Sequence, residues 1–206
     1  MLAPEHVRNA IVYRMLKGHF EAVRALPLTP DAWIIDGGYA HNVVQRFVSE
    51  IGPSLPFRVI VARGFSSTKY NPARAIGAPR EHCHTARWPM GSGMAWDADY
   101  WRMVSQRAWL GELGEPGSCS LFAGAHREYA EHLCREKLKE MVQTETRTLY
   151  VWAEAPGRHD WSDSHAMCYA GAAYHAGIGP GGGPIRRRRR KFTQEDLLRR
   201  RDASTK

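Results

Sequence analysis

No stretch of the 206 residues approaches the roughly eighteen consecutive apolar side chains that a bilayer-spanning helix needs, so a membrane segment is not expected. The opening MLAPEHVRNAIVYRMLKGHFEAV mixes charges with apolar residues and has neither an uninterrupted apolar core nor a small-residue cleavage site. A secretory leader is therefore not expected, and the chain is read as cytoplasmic. Cysteine is scarce: Cys83, Cys119, Cys134 and Cys168 lie far apart and form no CxxC pair. That pattern suits reduced thiols better than a disulfide framework. His82, Cys83 and His84 are adjacent, a poor arrangement for converging on one tetrahedral zinc ion. The body of the chain also lacks net charge. Of the +8 overall, residues 185–206 supply ten Lys/Arg against three acids, and the other 184 residues carry nineteen basic and eighteen acidic groups.

What is present reads as one α/β core with appendages. Apolar residues at helical spacing over 4–25 predict an amphipathic helix ending before Pro27. DAWIID then predicts a buried strand, Gly37-Gly38 a turn, and AHNVVQRFVSEI a helix with Val44, Phe47, Val48 and Ile51 on one stripe. PFRVIVARG (56–64) predicts a second strand. Strand, helix, strand at this spacing is a βαβ unit, hence a parallel pair. The stretch 65–96 reads as a long excursion without periodicity. A helix is expected over 97–113, a short strand over 118–122, a helix over 126–142, a strand over 146–154 and a last helix from about Ser162 to His175. GIGPGGGP (177–184) is a hinge, and a short tail helix is expected after Thr193. The boundaries expected are an N-terminal helical segment at 1–28, a domain at 29–177 and a hinge with basic tail at 178–206.

Two carboxylates stand out. In the last helix Asp163, Ala166, Met167, Ala170 and Tyr174 share one face, which aims Asp163 with the apolar stripe toward the sheet, where an ionised group must be paired or hold a cation. Asp160 reads equally well as a charge placed at the helix N-terminus. Asp36 is either a turn aspartate bonded to the backbone of Gly38 or a site residue at the carboxyl end of a parallel strand. Two or three such acids together hold Mg²⁺ or Mn²⁺, which take oxygen ligands, and a pair of these ions supports phosphodiester hydrolysis. Asp97 and Asp99 are helix caps or further ligands. Arg63, Lys69, Arg74 and Arg80 are solvated loop cations or phosphate contacts. The run Arg186, Arg187, Arg188, Arg189, Arg190 and Lys191 binds nucleic acid without sequence preference, meets a protein partner or stays solvated. Trp88, Trp96, Trp101 and Trp109 read as core or cover.

The series WIIDGGYAHNVVQRF, VIVARGF, WDADYWRMV, HREYAEHLCREK and GRHDWSDSHAMCYAGAAY resembles the C-terminal nuclease domain of the lambda-type phage terminase large subunit, from about Trp33 to Gly177. The resemblance implies an RNase H-like mixed sheet flanked by helices, and a metal-dependent endonuclease that cuts double-stranded DNA during genome packaging. It implies two Mg²⁺ or Mn²⁺ ions, with Asp36 as the second catalytic acid, Asp163 as the third and Asp160 as the acid before it. Its implied partners are double-stranded DNA, a terminase ATPase domain or small subunit, and the portal, in the cytoplasm of a host cell carrying a phage or prophage. Residues 1–32 do not read as the β-meander that opens the family's domain and carries its first acid, and no GxxxxGK[ST] is present. The chain is expected to correspond to the C-terminal part of such a protein, truncated at its start. The alternatives are a catalytically inactive DNA-binding or packaging-interaction module with the same fold, and an RNase H-like nuclease of a host unrelated to packaging.

Overall fold

The fold is described from a computed structural model over residues 4–72, 81–145, 147–157, 159–180 and 183. Arg74, Arg80, the cations from Arg186 to Lys191 and the helix expected after Thr193 lie outside the described residues. The elements in chain order are α1 (Glu5–Arg24), β1 (Ala32–Asp36), α2 (His41–Ile51), β2 (Arg58–Phe65), β3 (Cys83–Trp88), β4 (Gly91–Asp97), α3 (Ala98–Leu110), α4 (Arg127–Leu133), β5 (Glu136–Gln143), β6 (Thr148–Glu154) and α5 (Asp160–His175). No helix among the described residues is long and apolar enough to cross a membrane.

A mixed four-stranded sheet in the order β1-β2-β4-β3 is flanked by helices on both faces. β1 and β2 run parallel from Ala32↔Arg58 to Asp36↔Ala62, and β2 and β4 run parallel from Ala62↔Met94 to Phe65↔Asp97. β3 closes the far edge antiparallel to β4. The alternation of β1 and β2 assigns the two faces. Ile34, Ile60 and Ala62 point toward α3 and α5, where Trp101, Val104, Ala166 and Ala170 meet them together with Met94 and Trp96. Trp33, Ile35 and Val61 point to the other face, where Val44 and Phe47 of α2 and Phe20 of α1 cover them. β5 and β6 form a separate antiparallel hairpin. Leu138, Tyr150 and Trp152 of this hairpin extend the core on the α3 and α5 side.

The sheet is tightest at Gly93. A Cβ there would lie 2.2 Å from the Val61 carbonyl oxygen and 2.7 Å from the Trp88 ring. The closer obstacle is backbone of the neighbouring strand, which has no rotamer to adopt. Gly93→Ala is therefore expected to lower stability by about 1–3 kcal/mol, read as a lower denaturant midpoint at unchanged slope. An unchanged midpoint would show that β2 and β4 separate freely at this point.

The βαβ unit and the last helix lie where the sequence places them, but three segments differ. The expected excursion over 65–96 contains β3 and most of β4. Their pairing is a backbone ladder from Cys83↔Trp96 to Trp88↔Gly91, which a segment rich in Gly and Ser forms without a side-chain alternation to announce it. The strand expected over 118–122 is irregular chain: Cys119 N–H donates to the Ala108 carbonyl at 2.8 Å, folding the segment back on the end of α3. The helix expected over 126–142 stops at Leu133, and residues 136–143 are strand β5. Pairing with β6 and burial of Glu136 override the local helical pattern there.

Candidate functional site

The three parallel strands end side by side. β1 stops at Asp36, β2 at Phe65 and β4 at Asp97, so their carboxyl ends form one edge. This is the edge at which open α/β sheets place ligands. The ladder extends one step past β1, because Gly37 N–H donates to the Ala62 carbonyl at 2.7 Å. A side chain at Gly37 would meet Val61 and the His41 ring at under 3 Å. The chain then turns, and Gly38 N–H donates to Asp36 Oδ1 at 2.9 Å. Asp36 is thus a turn aspartate and also an exposed carboxylate at the strand end.

β4 runs directly into α3, and its last residue caps that helix. Asp97 is fully buried. Its Oδ1 accepts from Tyr100 N–H at 3.3 Å and from the Ser67 hydroxyl at 3.1 Å, and its Oδ2 lies 3.3 Å from His82 Nδ1. Asp97 therefore has the capping role open to it, and its environment is that of a structural anchor. Asp99 faces the same loop, accepting from Ser67 N–H at 2.6 Å. Burial pushes the Asp99 carboxyl above its ordinary range, against the opposing pull of Ser67 and Arg102. The loop is held from above: Arg147, at the turn of the β5–β6 hairpin, donates to the carbonyls of Ser67 and Thr68 at 3.0 and 3.3 Å.

α5 enters with its N-terminus over this edge. Asp36, Gly64, Phe65, Ser66, Trp96, Asp99, Arg102, Asp160, Asp163 and Met167 are among the walls of a cleft of about 430 Å³. The structure thus brings together Asp36 from β1, Asp99 from α3, and Asp160 and Asp163 from α5. It leaves out Asp97, which lies beneath the cleft, and Arg63 and Lys69, which are exposed but not on its walls. The Arg63 guanidinium lies 5.4 Å from the centre of the Phe65 ring, next to one of the walls.

Two residues of the arrangement have no counterpart among the sequence candidates. Arg102, one turn into α3, donates to Asp163 Oδ1 from Nη2 at 2.6 Å and from Nε at 3.1 Å. Its Nε also lies 3.2 Å from Glu136 Oε1, and its Nη1 3.7 Å from Asp99 Oδ1. Glu136, the first residue of β5, has a fully buried side chain whose Oε2 accepts from the Ser162 hydroxyl at 2.7 Å. Burial raises the Glu136 carboxyl above its ordinary range, opposed by Ser162 and Arg102. Burial alone would depress Arg102, but the charges of Asp163, Glu136 and Asp99 overcome it and hold the guanidinium above its ordinary value. Asp163, expected to face the core, instead lines the cleft with its side chain 42% exposed and pairs with Arg102 there.

This pairing bears directly on a metal. Among the described residues no group of three or more His, Cys, Asp or Glu side chains is arranged to hold an ion. The residues as they stand do not fit a two-metal centre, because a guanidinium already occupies the space between Asp99, Glu136 and Asp163. Farther along the edge, His82 and His84 serve separate partners, Asp97 and the Tyr70 hydroxyl.

No family model, curated protein or solved structure matches the chain.

Proposed function

We propose that this cleft is the active site of a DNA endonuclease of RNase H-like fold, the nuclease part of a terminase large subunit. It would act on double-stranded DNA in the host cytoplasm beside an ATPase domain or small subunit and the portal. One observation carries the reading: Asp36 and Asp163, 127 positions apart in sequence, line one cleft at the carboxyl edge of three parallel strands. Electrostatics adds a requirement. Among the described residues the cleft walls carry Asp36, Asp99, Asp160 and Asp163 against Arg102 alone, and such a surface repels phosphates unless a further cation enters. The reading therefore calls for Mg²⁺ or Mn²⁺, with Arg102 displaced from Asp163.

Purified chain with Mn²⁺ is expected to nick supercoiled plasmid. Asp36→Ala and Asp163→Asn are each expected to slow nicking at least about a hundredfold, the scale of several kcal/mol of lost transition-state stabilisation. Absence of nicking by the unaltered chain, or variants that retain its rate, would end the reading. The second reading, an inactive DNA-binding or packaging-interaction module, is favoured by the ion pair that ties up Asp163. It predicts DNA retention without strand scission.

A further inference from the structure

Gly18 stands in the interior of α1, where glycine is less favourable than alanine. Nothing else in the described chain calls for it: a Cβ there would stand in open space, with no side chain or neighbouring segment within 4 Å among the described residues. Its place on the helix is informative. Val7, Ile11, Met15, Gly18 and Ala22 follow one another at steps of three and four, so they form one stripe, and no charged residue falls within it. Tyr13, Leu16 and Phe20 hold the other side of α1 against Phe47 of α2 and Trp33 of β1. The stripe points away from them. Ile11 and Met15 are 50% and 61% exposed, Val7 is exposed, and so are Gly18 and Ala22. α1 is therefore apolar on two sides, and the described residues cover one of them.

We propose that this second side of α1 pairs with the same side of α1 in a second copy of the chain, the two helices running antiparallel about a two-fold axis. Antiparallel helices related in this way match residues whose numbers add to a constant. One constant sets Met15 against Gly18 of the second copy and Ile11 against Ala22 of the second copy, each large side chain meeting a small one, and symmetry makes each match twice. Charge agrees with that alignment. An antiparallel two-fold brings each edge of the stripe against the same edge of the copy. On one edge lie Arg14 and Glu21, both exposed, and the alignment brings each Glu21 within about 3 Å along the axis of Arg14 of the second copy. On the other edge Arg8 falls beside Val23 and His19 beside Val12, so like charges do not meet. Parallel helices would set Met15 against Met15 and Gly18 against Gly18, and would give Arg14 no carboxylate. Within its own helix Glu21 lies 3.8 Å from Arg24 in an exposed pair, which contributes little and leaves it able to turn to the copy. Length sets the strength. The 20 residues of α1 make about 30 Å of helix, and one face of that length buries about 1,000–1,200 Å² over both copies, the low end for specific association. The dimer is expected to be weak, with a dissociation constant of about 10–100 µM. It leaves the cleft open, since α1 lies on the opposite face of the sheet from α3 and α5.

Sedimentation equilibrium of the full chain from about 1 to about 500 µM tests this, with monomer expected to dominate at the low end and dimer at the high end. Ile11→Lys is expected to weaken association at least about tenfold. Gly18→Leu fills the space that Met15 of the second copy enters, so it is expected to weaken association as much while raising the thermal midpoint of the monomer, because leucine favours helix and meets nothing there. Arg14→Glu is expected to weaken the dimer about three- to tenfold, and Arg14→Glu/Glu21→Arg to restore it, since the exchanged charges still meet across the axis. A chain that stays monomeric at about 500 µM overturns the inference and leaves the face to a different protein or to another segment of this chain. A dimer indifferent to Ile11→Lys and Gly18→Leu, or a charge exchange that restores nothing, overturns it too. The unaltered chain gives a reading that needs no variant to fold: the Met15 methyl signal is expected to shift with concentration, and one that stays fixed while the chain dimerises places the contact elsewhere and overturns the inference.

Discussion

Arg102→Met is expected to lower stability by about 3–5 kcal/mol near pH 8, the scale for removing one partner from a buried charge group, and by much less near pH 4. Methionine replaces most of the apolar stem, so lost packing is the smaller part of the effect. The loss falls chiefly on Glu136 and Asp99, whose side chains are 0% and 11% exposed, and little on Asp163, which at 42% exposed is solvated without its partner. The pH dependence follows from the direction of the shifts. Burial already places Glu136 and Asp99 above their unfolded values. The stability that each contributes is complete below the unfolded value and is lost as pH rises through the folded one. Arg102 lowers both carboxyls in the native chain, so its removal raises them further and enlarges the loss on the alkaline side. Denaturant unfolding at the two pH values checks this, with Arg102→Met/Glu136→Gln as the cycle partner expected to recover part of the alkaline loss. A penalty equal at both pH values would mean that the acids do not depend on Arg102.

The parts of this arrangement that were legible in the sequence are those fixed by local periodicity. Trp33-Ile34-Ile35 followed by two glycines and the Val44, Phe47, Val48 and Ile51 stripe declare a strand, a turn and a helix. Once that unit is parallel, Asp36 stands at the carboxyl edge with no further assumption. Helical phase placed Asp163 with Ala166 and Ala170, and both alanines are fully buried against the sheet. Arg102 and Glu136 were not legible, because neither differs locally from an ordinary surface charge. Arg102 sits at an unremarkable position in an amphipathic helix. Glu136 stands in REKLKE, whose alternating charges favour a helix in isolation, and only pairing with β6 and contact with Ser162 turn it inward. Backbone pairing likewise made β3 and β4, a tight hairpin closed at Trp88↔Gly91 and docked on β2 through β4, since Gly91, Ser92 and Gly93 give no alternation to read. The two acids anticipated for a shared site and the cation that governs one of them thus depend on different kinds of information: the first on spacing along the chain, the second on contacts between α3, β5 and α5.

Phe47→Ala is expected to cost about 3–5 kcal/mol, the range for a large aromatic removed from a core, and to release α1 before the sheet unfolds. The ring is fully buried and meets three others edge-on: Tyr13 at 5.7 Å and Phe20 at 6.4 Å from α1, and Trp33 at 6.1 Å from β1. Each such pair adds about 0.5–1.5 kcal/mol beyond area burial, so one substitution removes three contacts and leaves a cavity where α1, α2 and β1 join. Beyond these rings α1 is held by Leu16, packed in the same cluster, and by the Tyr13 hydroxyl, which donates to Glu50 of α2. Phe20 is its one buried residue, and Val7, Ile11 and Met15 are exposed along its length. The cleft edge is built on the opposite layer by α3 and α5, so the cleft is expected to outlast α1. Native-state hydrogen exchange checks this order: amides of residues 5–24 should lose protection in Phe47→Ala while those of β2 and β4 keep theirs. Phe47→Leu, which keeps most of the volume, should cost under about 1.5 kcal/mol. Equal loss of protection in both layers would show that the two faces of the sheet unfold as one unit, and that the cleft depends on α1 after all.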